Sequence, residues 1–184
     1  MLTEMEDRLS AVTRWGIVHT IVKQSVTDHS FRVALIADRV AREWYEIEDP
    51  AILYLVGRRA LRHDEKEAAS GDLPSIAKDL FDEEGLTKRY SDVFNNYDET
   101  TDPEDVVHIV KIADRLETIL FLRREQALGN TTVSNLIADV ELSMLRYFRK
   151  IGKESFEFRY LNAVKYGGWP STGMKCHPMD RRET

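Results

Sequence analysis

Residues 28–46 read DHSFRVALIADRVAREWYE. Val33, Ile36, Val40 and Trp44 recur at three- and four-residue spacing, with charged residues between them. That period gathers the apolar side chains on one face of a helix of 3.6 residues per turn. Thr27 or Asp28 supplies the cap, because a short oxygen-bearing side chain satisfies backbone N–H groups that have no partner inside the helix. His29 precedes Val33, Ile36 and Val40 by four, seven and eleven positions, so it shares their face. The stretch therefore specifies a helix-built core with an imidazole turned into it.

The same period continues in both directions. A short helix is expected near residues 3–12, then an irregular segment from Arg14 to Thr27. Another helix covers 50–63, with Pro50 at its start and Ile52, Leu55, Val56 and Ala60 inward. SGDLP (70–74) is a turn by composition. A helix begins at Pro74 and a more charged one covers 82–96. Pro103 opens a long helix to residue 124, where Arg123 and Arg124 complement a helix C-terminus. Gly129-Asn130 breaks the pattern, and helices near 133–150 and 153–165 follow. No alternating run of strand length occurs. The expected fold is all-α, one helical domain over 1–166 with an irregular tail over 167–184.

The composition narrows the function classes. The chain has 184 residues, 42% hydrophobic and 32% charged, enough apolar material for a core. Its formal net charge is −6. An acidic balance argues against coating nucleic acid or an anionic membrane, both of which need clustered Lys and Arg. It leaves room for a small anionic ligand, because a pocket can be locally positive. A single cysteine, Cys176, excludes an internal disulfide and a Cys-rich zinc site and suits a reducing compartment. No apolar run reaches membrane-spanning length and MLTEMEDRLS lacks a signal-peptide layout, so a cytoplasmic location is expected.

The polar residues on the inward faces carry the chemistry. His29 lies on one helix. His63, with Asp64 beside it, continues the face of Ile52, Val56 and Ala60. Asp114 sits with Val107, Val110 and Phe121. A lone inward carboxylate is costly to bury. Two imidazoles and two carboxylates together offer four N and O ligands whose charge of −2 a divalent cation cancels. That ligand mix suits Zn, Mn, Co or Fe(II). Singly, such a His is more often a hydrogen-bonded core residue and such an Asp usually a cap or an ion-pair partner; the set on three helices is what points to a metal.

The order His29 … His63-Asp64 … Asp114 resembles the H…HD…D signature of HD-domain metal-dependent phosphohydrolases. RWGIVHTIVKQSVTDHSFRVALIA (14–37), LRHDEKEAASGDLPSIAK (61–78) and KIADRLETILFL (111–122) resemble the three motif segments of bacterial 5′-deoxynucleotidases of the YfbR type. The same words resemble a phage branch, the dATP triphosphohydrolases of phages that replace adenine with 2-aminoadenine. The Trp15-Gly16-Ile17 word and the compact length are closer to that branch.

The resemblance implies an HD-type helical bundle with one divalent transition metal (Co, Zn or Mn) on His29, His63, Asp64 and Asp114. It implies hydrolysis of phosphate from a small deoxynucleotide, in a homo-oligomer, in the host cytoplasm if the chain is phage-encoded. Glu67 and Asp72 become the catalytic carboxylates, one for acid/base work on the attacking water, the other for the sugar hydroxyl or proton transfer. Arg14 and Lys78 take the phosphate, Trp15 packs on the deoxyribose, and Ile17 and Ile76 flank the base. Glu67 alone also reads as a surface residue of a charged run, Asp72 as a helix cap, and Trp15 as a core residue. His19, His108 and His177 match no motif. For dATP, dADP and dAMP the product is deoxyadenosine; the alternative is a deoxynucleotidase confined to monophosphates. A metal-free HD-like binding module is the alternative of another class, and the presence of all four ligands and Glu67 speaks against it.

Overall fold

A computed structural model describes residues 4–72 and 102–165. The described residues form helices α1 (Glu4–Arg8), α2 (Val26–Glu43), α3 (Pro50–Arg62), α4 (Glu67–Ser70), α5 (Glu104–Ala127), α6 (Ser134–Lys150) and α7 (Phe156–Lys165), with a 3₁₀ turn at Thr131–Val133. Among them no strand occurs, and one isolated antiparallel bridge joins Thr13 to Ser25. The all-α expectation holds. The helices expected from Pro74 and over 82–96, and the tail from residue 167, lie outside the described residues. No described helix is long and apolar enough to cross a membrane.

The chain divides into two compact units after Met144, inside α6. In the first unit α2 packs against both α3 and α5. Val33, Ala37, Val40 and Ala41 of α2, Val56 and Ala60 of α3, and Ile109, Ile112, Ala113 and Leu116 of α5 are fully buried. Ile36, Ile52, Leu55 and Val107 are half-buried, at the margin of the faces the period assigned to them. Full burial of a Val or Leu side chain contributes about 1.5–3 kcal/mol, so this three-helix contact holds the unit together. In the second unit the Phe148 ring meets Phe156 edge-on at 6.1 Å and Tyr160 at 6.3 Å.

Several helix ends differ from expectation, α1 stopping at Arg8 and α2 at Glu43. Ser25, not Thr27 or Asp28, caps α2. Its hydroxyl accepts the Asp28 N–H at 3.1 Å while Asp28 accepts the Ser25 N–H at 3.3 Å. Ser25 and Asp28 thus form a reciprocal capping box, which moves the helix start to Val26. The long helix runs past Arg124 to Ala127, because Glu125 is buried and anchored by tertiary hydrogen bonds. It stops where Gly129 takes φ +100°, a conformation glycine enters without a Cβ clash. Last, α7 begins at Phe156 after turns over 151–155.

Candidate metal centre

α2, the C-terminal end of α3 and α5 bring three donors together, with a fourth, Asp64, beside them. His29 is on the first turn of α2 and fully buried. His63 is the C-cap of α3, and Asp64 follows in the turn. Asp114 is near the middle of α5. His29 Nε2 lies 3.2 Å from His63 Nε2 and 3.2 Å from Asp114 Oδ1. Asp64 Oδ2 lies 3.3 Å from His63 Nε2 and 3.6 Å from His29 Nε2. One ligand atom from each of His29, His63 and Asp114 falls within 4.8 Å of the others, a group that could hold a metal ion.

Tautomers test the fit. His63 Nδ1 lies 2.7 Å from the Ala60 carbonyl oxygen, which only accepts, so Nδ1 carries the proton and Nε2 presents a lone pair. His29 Nδ1 faces Glu117 Oε2 at 2.7 Å, and the same logic frees its Nε2 for a cation. Without a cation a proton takes that place. Burial pushes the His29 pKa down, but hydrogen bonds to Asp114 and Glu117 outweigh it and carry it to about 9. Burial works against ionising Asp114, yet the hydrogen bond to His29, with the neighbouring imidazoles and Arg14, holds its carboxyl well below the usual range. Donors on bonds of about 2.0–2.1 Å around a tetrahedral ion stand roughly 3.3 Å apart. The separations of 3.2–3.6 Å around His29 and His63 are of that order, so His29, His63 and Asp114 fit a divalent transition metal, with Asp64 alongside.

Residues 13–25 form a loop beside this point, closed by the Arg14 N–H donating to the Gln24 carbonyl and the Val26 N–H to the Val12 carbonyl. Arg14 Nη1 contacts His29 Nδ1 and lies 3.5 Å from Glu117 Oε2. Its Nε is buried and makes no hydrogen bond among the described residues. Trp15 stacks on Phe121 of α5, with centroids 5.4 Å apart and planes 6° from parallel.

Part of the chain is similar to known proteins. Residues 2–83 match the family described as "5'-deoxynucleotidase YfbR-like". A dATP triphosphohydrolase of Salmonella phage PMBT28 is 32% identical over 121 residues, 62% of each chain. A 5′-deoxynucleotidase of Pasteurella multocida is 29% identical over 93 residues, 48% of this chain and 45% of that one. The chain thus spans less than two thirds of the curated relatives it matches. The fold is that of the cyanophage S-2L HD phosphohydrolase (DatZ), solved with dA and one catalytic Zn²⁺. TM-score is 0.73 at 21% identity, covering 90% of this chain and 98% of that one. The chain is similar to the YfbR-like family over residues 2–83, less than half of its length.

The structure brings His29, His63, Asp64, Asp114 and Arg14 together. Glu67 opens α4 and is buried, its N–H donating to the Asp64 carbonyl. It is not the exposed residue of a charged run. Asp72 accepts the Trp15 N–H at 2.8 Å. Ile17 is 78% exposed. Ile76 and Lys78 lie outside the described residues, as do Cys176 and His177. His19 is exposed and His108 pairs with Glu104 at 3.7 Å, away from the donor group.

Three buried residues beside the donor group went unread in the sequence. Glu117 and Gln24 are buried and hydrogen-bonded to each other at 2.7 Å. Glu125 accepts the N–H groups of Ile21 and Val22 at 2.6 and 2.8 Å. The available signal was spacing: Glu117 is three positions beyond Asp114 and Glu125 eight beyond Glu117, so all three share one side of α5.

Proposed function

We propose that this chain is a metal-dependent phosphohydrolase of deoxynucleotides. The observation that carries the reading is the convergence of His29 Nε2, His63 Nε2 and Asp114 Oδ1 with Asp64 alongside. Similarity to a phage dATP triphosphohydrolase and to a 5′-deoxynucleotidase supports the substrate class. The finer reading is conversion of dATP, dADP and dAMP to deoxyadenosine. In a phage with 2-aminoadenine DNA this would deplete dATP in the host cytoplasm. The second reading, a nucleotidase confined to deoxynucleoside monophosphates, is favoured by the family match over residues 2–83.

His29, His63, Asp64 and Asp114 would hold one Zn²⁺, Co²⁺ or Mn²⁺. When bound, the ion supplies an activated water at neutral pH and positive charge against the phosphoryl oxygens. Arg14, whose buried Nε has no hydrogen bond among the described residues, offers that edge of its guanidinium to the phosphate, with Lys78 as a second cation. Trp15 supports the deoxyribose and crowds out a 2′-hydroxyl, while Ile17 and Ile76 flank the base. Glu67 orients the attacking water and exchanges its proton. Asp72 fixes the Trp15 backbone and is available to a sugar hydroxyl or to proton transfer.

The test is hydrolysis of dATP, dAMP, dTMP and dGTP with added Co²⁺ or Mn²⁺. Tripolyphosphate or orthophosphate released from dATP supports the finer reading. Hydrolysis of dAMP and dTMP alike with dATP untouched replaces it by the nucleotidase reading. No hydrolysis of any of them sinks both.

A further inference from the structure

Glu117 is a buried carboxylate that the proposed reaction does not use. Only 2% of the residue is exposed, and burying an ionised carboxylate is costly unless donors surround it. It is surrounded. Oε2 lies 2.7 Å from His29 Nδ1 and 3.5 Å from Arg14 Nη1, and Oε1 accepts from Gln24 Nε2 at 2.7 Å. Gln24 is equally buried, and its own Oε1 accepts the Trp15 indole N–H at 3.1 Å. One carboxylate therefore stands between a metal-facing imidazole and the loop that bears Arg14 and Trp15. The donors belong to α2 and to the 13–25 loop, whereas Glu117 and Asp114 are one turn apart on α5.

We infer that Glu117 is a positioning residue that couples the metal centre to the nucleotide-binding loop, fixing His29 with its Nε2 toward the ion and, through Gln24, fixing the Trp15 ring. The inference rests on the metal reading of the site. The chemistry has two arms. An ionised carboxylate has no hydrogen to give, so His29 Nδ1 must donate to it and the other ring nitrogen keeps its lone pair. Arg14 has no lone pair and cannot take that proton, so Glu117 is the acceptor in reach. In the second arm, Gln24 gives its amide N–H to Glu117 and its carbonyl to Trp15. Its orientation is then determined at both ends, and the indole cannot turn about its ring plane without breaking a buried hydrogen bond. The stack on Phe121 fixes the tilt of the ring, and Gln24 fixes its rotation.

The test uses the full chain and two variants, Glu117→Gln and Gln24→Met. Zn²⁺ affinity is measured by chelator competition, and KM and kcat with dATP and dAMP. The His29 ring nitrogens are observed by NMR in the Zn²⁺-loaded parent. Glu117→Gln is expected to weaken Zn²⁺ binding about 10- to 100-fold, the usual cost of losing a partner behind a metal-bound histidine, and to raise KM. Gln24→Met is expected to raise KM while Zn²⁺ affinity stays within threefold, a loss on the order of a single hydrogen bond or less. The Zn²⁺-loaded parent is expected to show Nδ1 protonated and Nε2 unprotonated and bound to the ion, a reading that stands even where a variant does not fold. An Nε2-protonated His29 in the loaded parent overturns the inference, as does Zn²⁺ affinity unchanged in Glu117→Gln. Equal loss of Zn²⁺ affinity in both variants removes the two-arm coupling. A parent that takes up no divalent ion sinks the metal reading and this inference together, whereas the variant outcomes leave the metal reading standing.

Discussion

Asp72 accepts the backbone N–H of Trp15 at 2.8 Å, across 57 positions of sequence, and Trp15 holds φ +69°. A non-glycine residue in the left-handed region costs of order 1–3 kcal/mol and persists only where its surroundings demand it. Here the demand is the Asp72 carboxylate at one end and the Phe121 stack at the other. Gly71, at φ +74°, supplies the sharp exit from α4 that presents Asp72 to the loop.

Asp72→Ala is therefore expected to release the Trp15 backbone without unfolding the helices. A small displacement at such a site can cost about 100-fold, and kcat/KM should fall by that order. Kinetics with dATP and dAMP, with Trp fluorescence as the structural readout, check it. Unchanged kcat/KM with altered fluorescence would show that the Trp15 geometry does not matter to turnover.

Asp64→Ala removes a carboxylate from beside both imidazoles. Metal content after purification should drop to background and hydrolysis should be lost, with far-UV circular dichroism unchanged because the α2–α3–α5 core does not include this side chain. Normal nucleotide hydrolysis by this variant would show that the ligand set is misassigned. Chelation of the parent should reproduce the loss, and re-addition of Zn²⁺, Co²⁺ or Mn²⁺ should restore activity.

Glu125 predicts a pH dependence. Burial alone would raise its pKa, but the Ile21 N–H, the Asn130 amide and the Val22 N–H bind the ionised form and hold it below the ordinary value of 4.5. With the folded value below the unfolded one, the stabilisation is present above pH 4.5 and disappears as pH falls through the folded value. Glu125→Gln should cost about 1–3 kcal/mol at neutral pH. The stability gap between parent and variant, from urea melts, should be flat between pH 6 and 8 and close below about pH 4. A gap that stays constant through that range would remove the charge from the account.

Arg59 and Asp102 form a buried ion pair at 2.8 Å, with side chains 10% and 2% exposed. It ties α3 to the residues just before α5. Removing one partner of a buried pair is destabilising, by up to about 3–5 kcal/mol, and less where other groups share the remaining charge. Asp102→Ala should lower the urea midpoint accordingly. A midpoint shift worth less than about 1 kcal/mol would place the pair with ordinary surface bridges.

The sequence by itself determined the helical class, because apolar residues three and four apart can cover a core only as helices. Val33, Val40, Val56, Ala60, Val110 and Phe121 are buried as that period requires. It also determined which residue types turn inward with them, so His29, His63 and Asp114 were legible one helix at a time. The Ser25–Asp28 capping box was equally local, though easily passed over beside Thr27. What only the tertiary structure decided is which polar groups meet. Gln24, Glu117 and Glu125 carry no motif, and each binds partners 93 to 104 positions away. Periodicity says which way a side chain points along its own helix; it does not say what stands opposite. That is fixed when α2, α3 and α5 pack, and burial then obliges each enclosed carboxylate to find donors, which here hold the metal-facing histidine and the loop beside it.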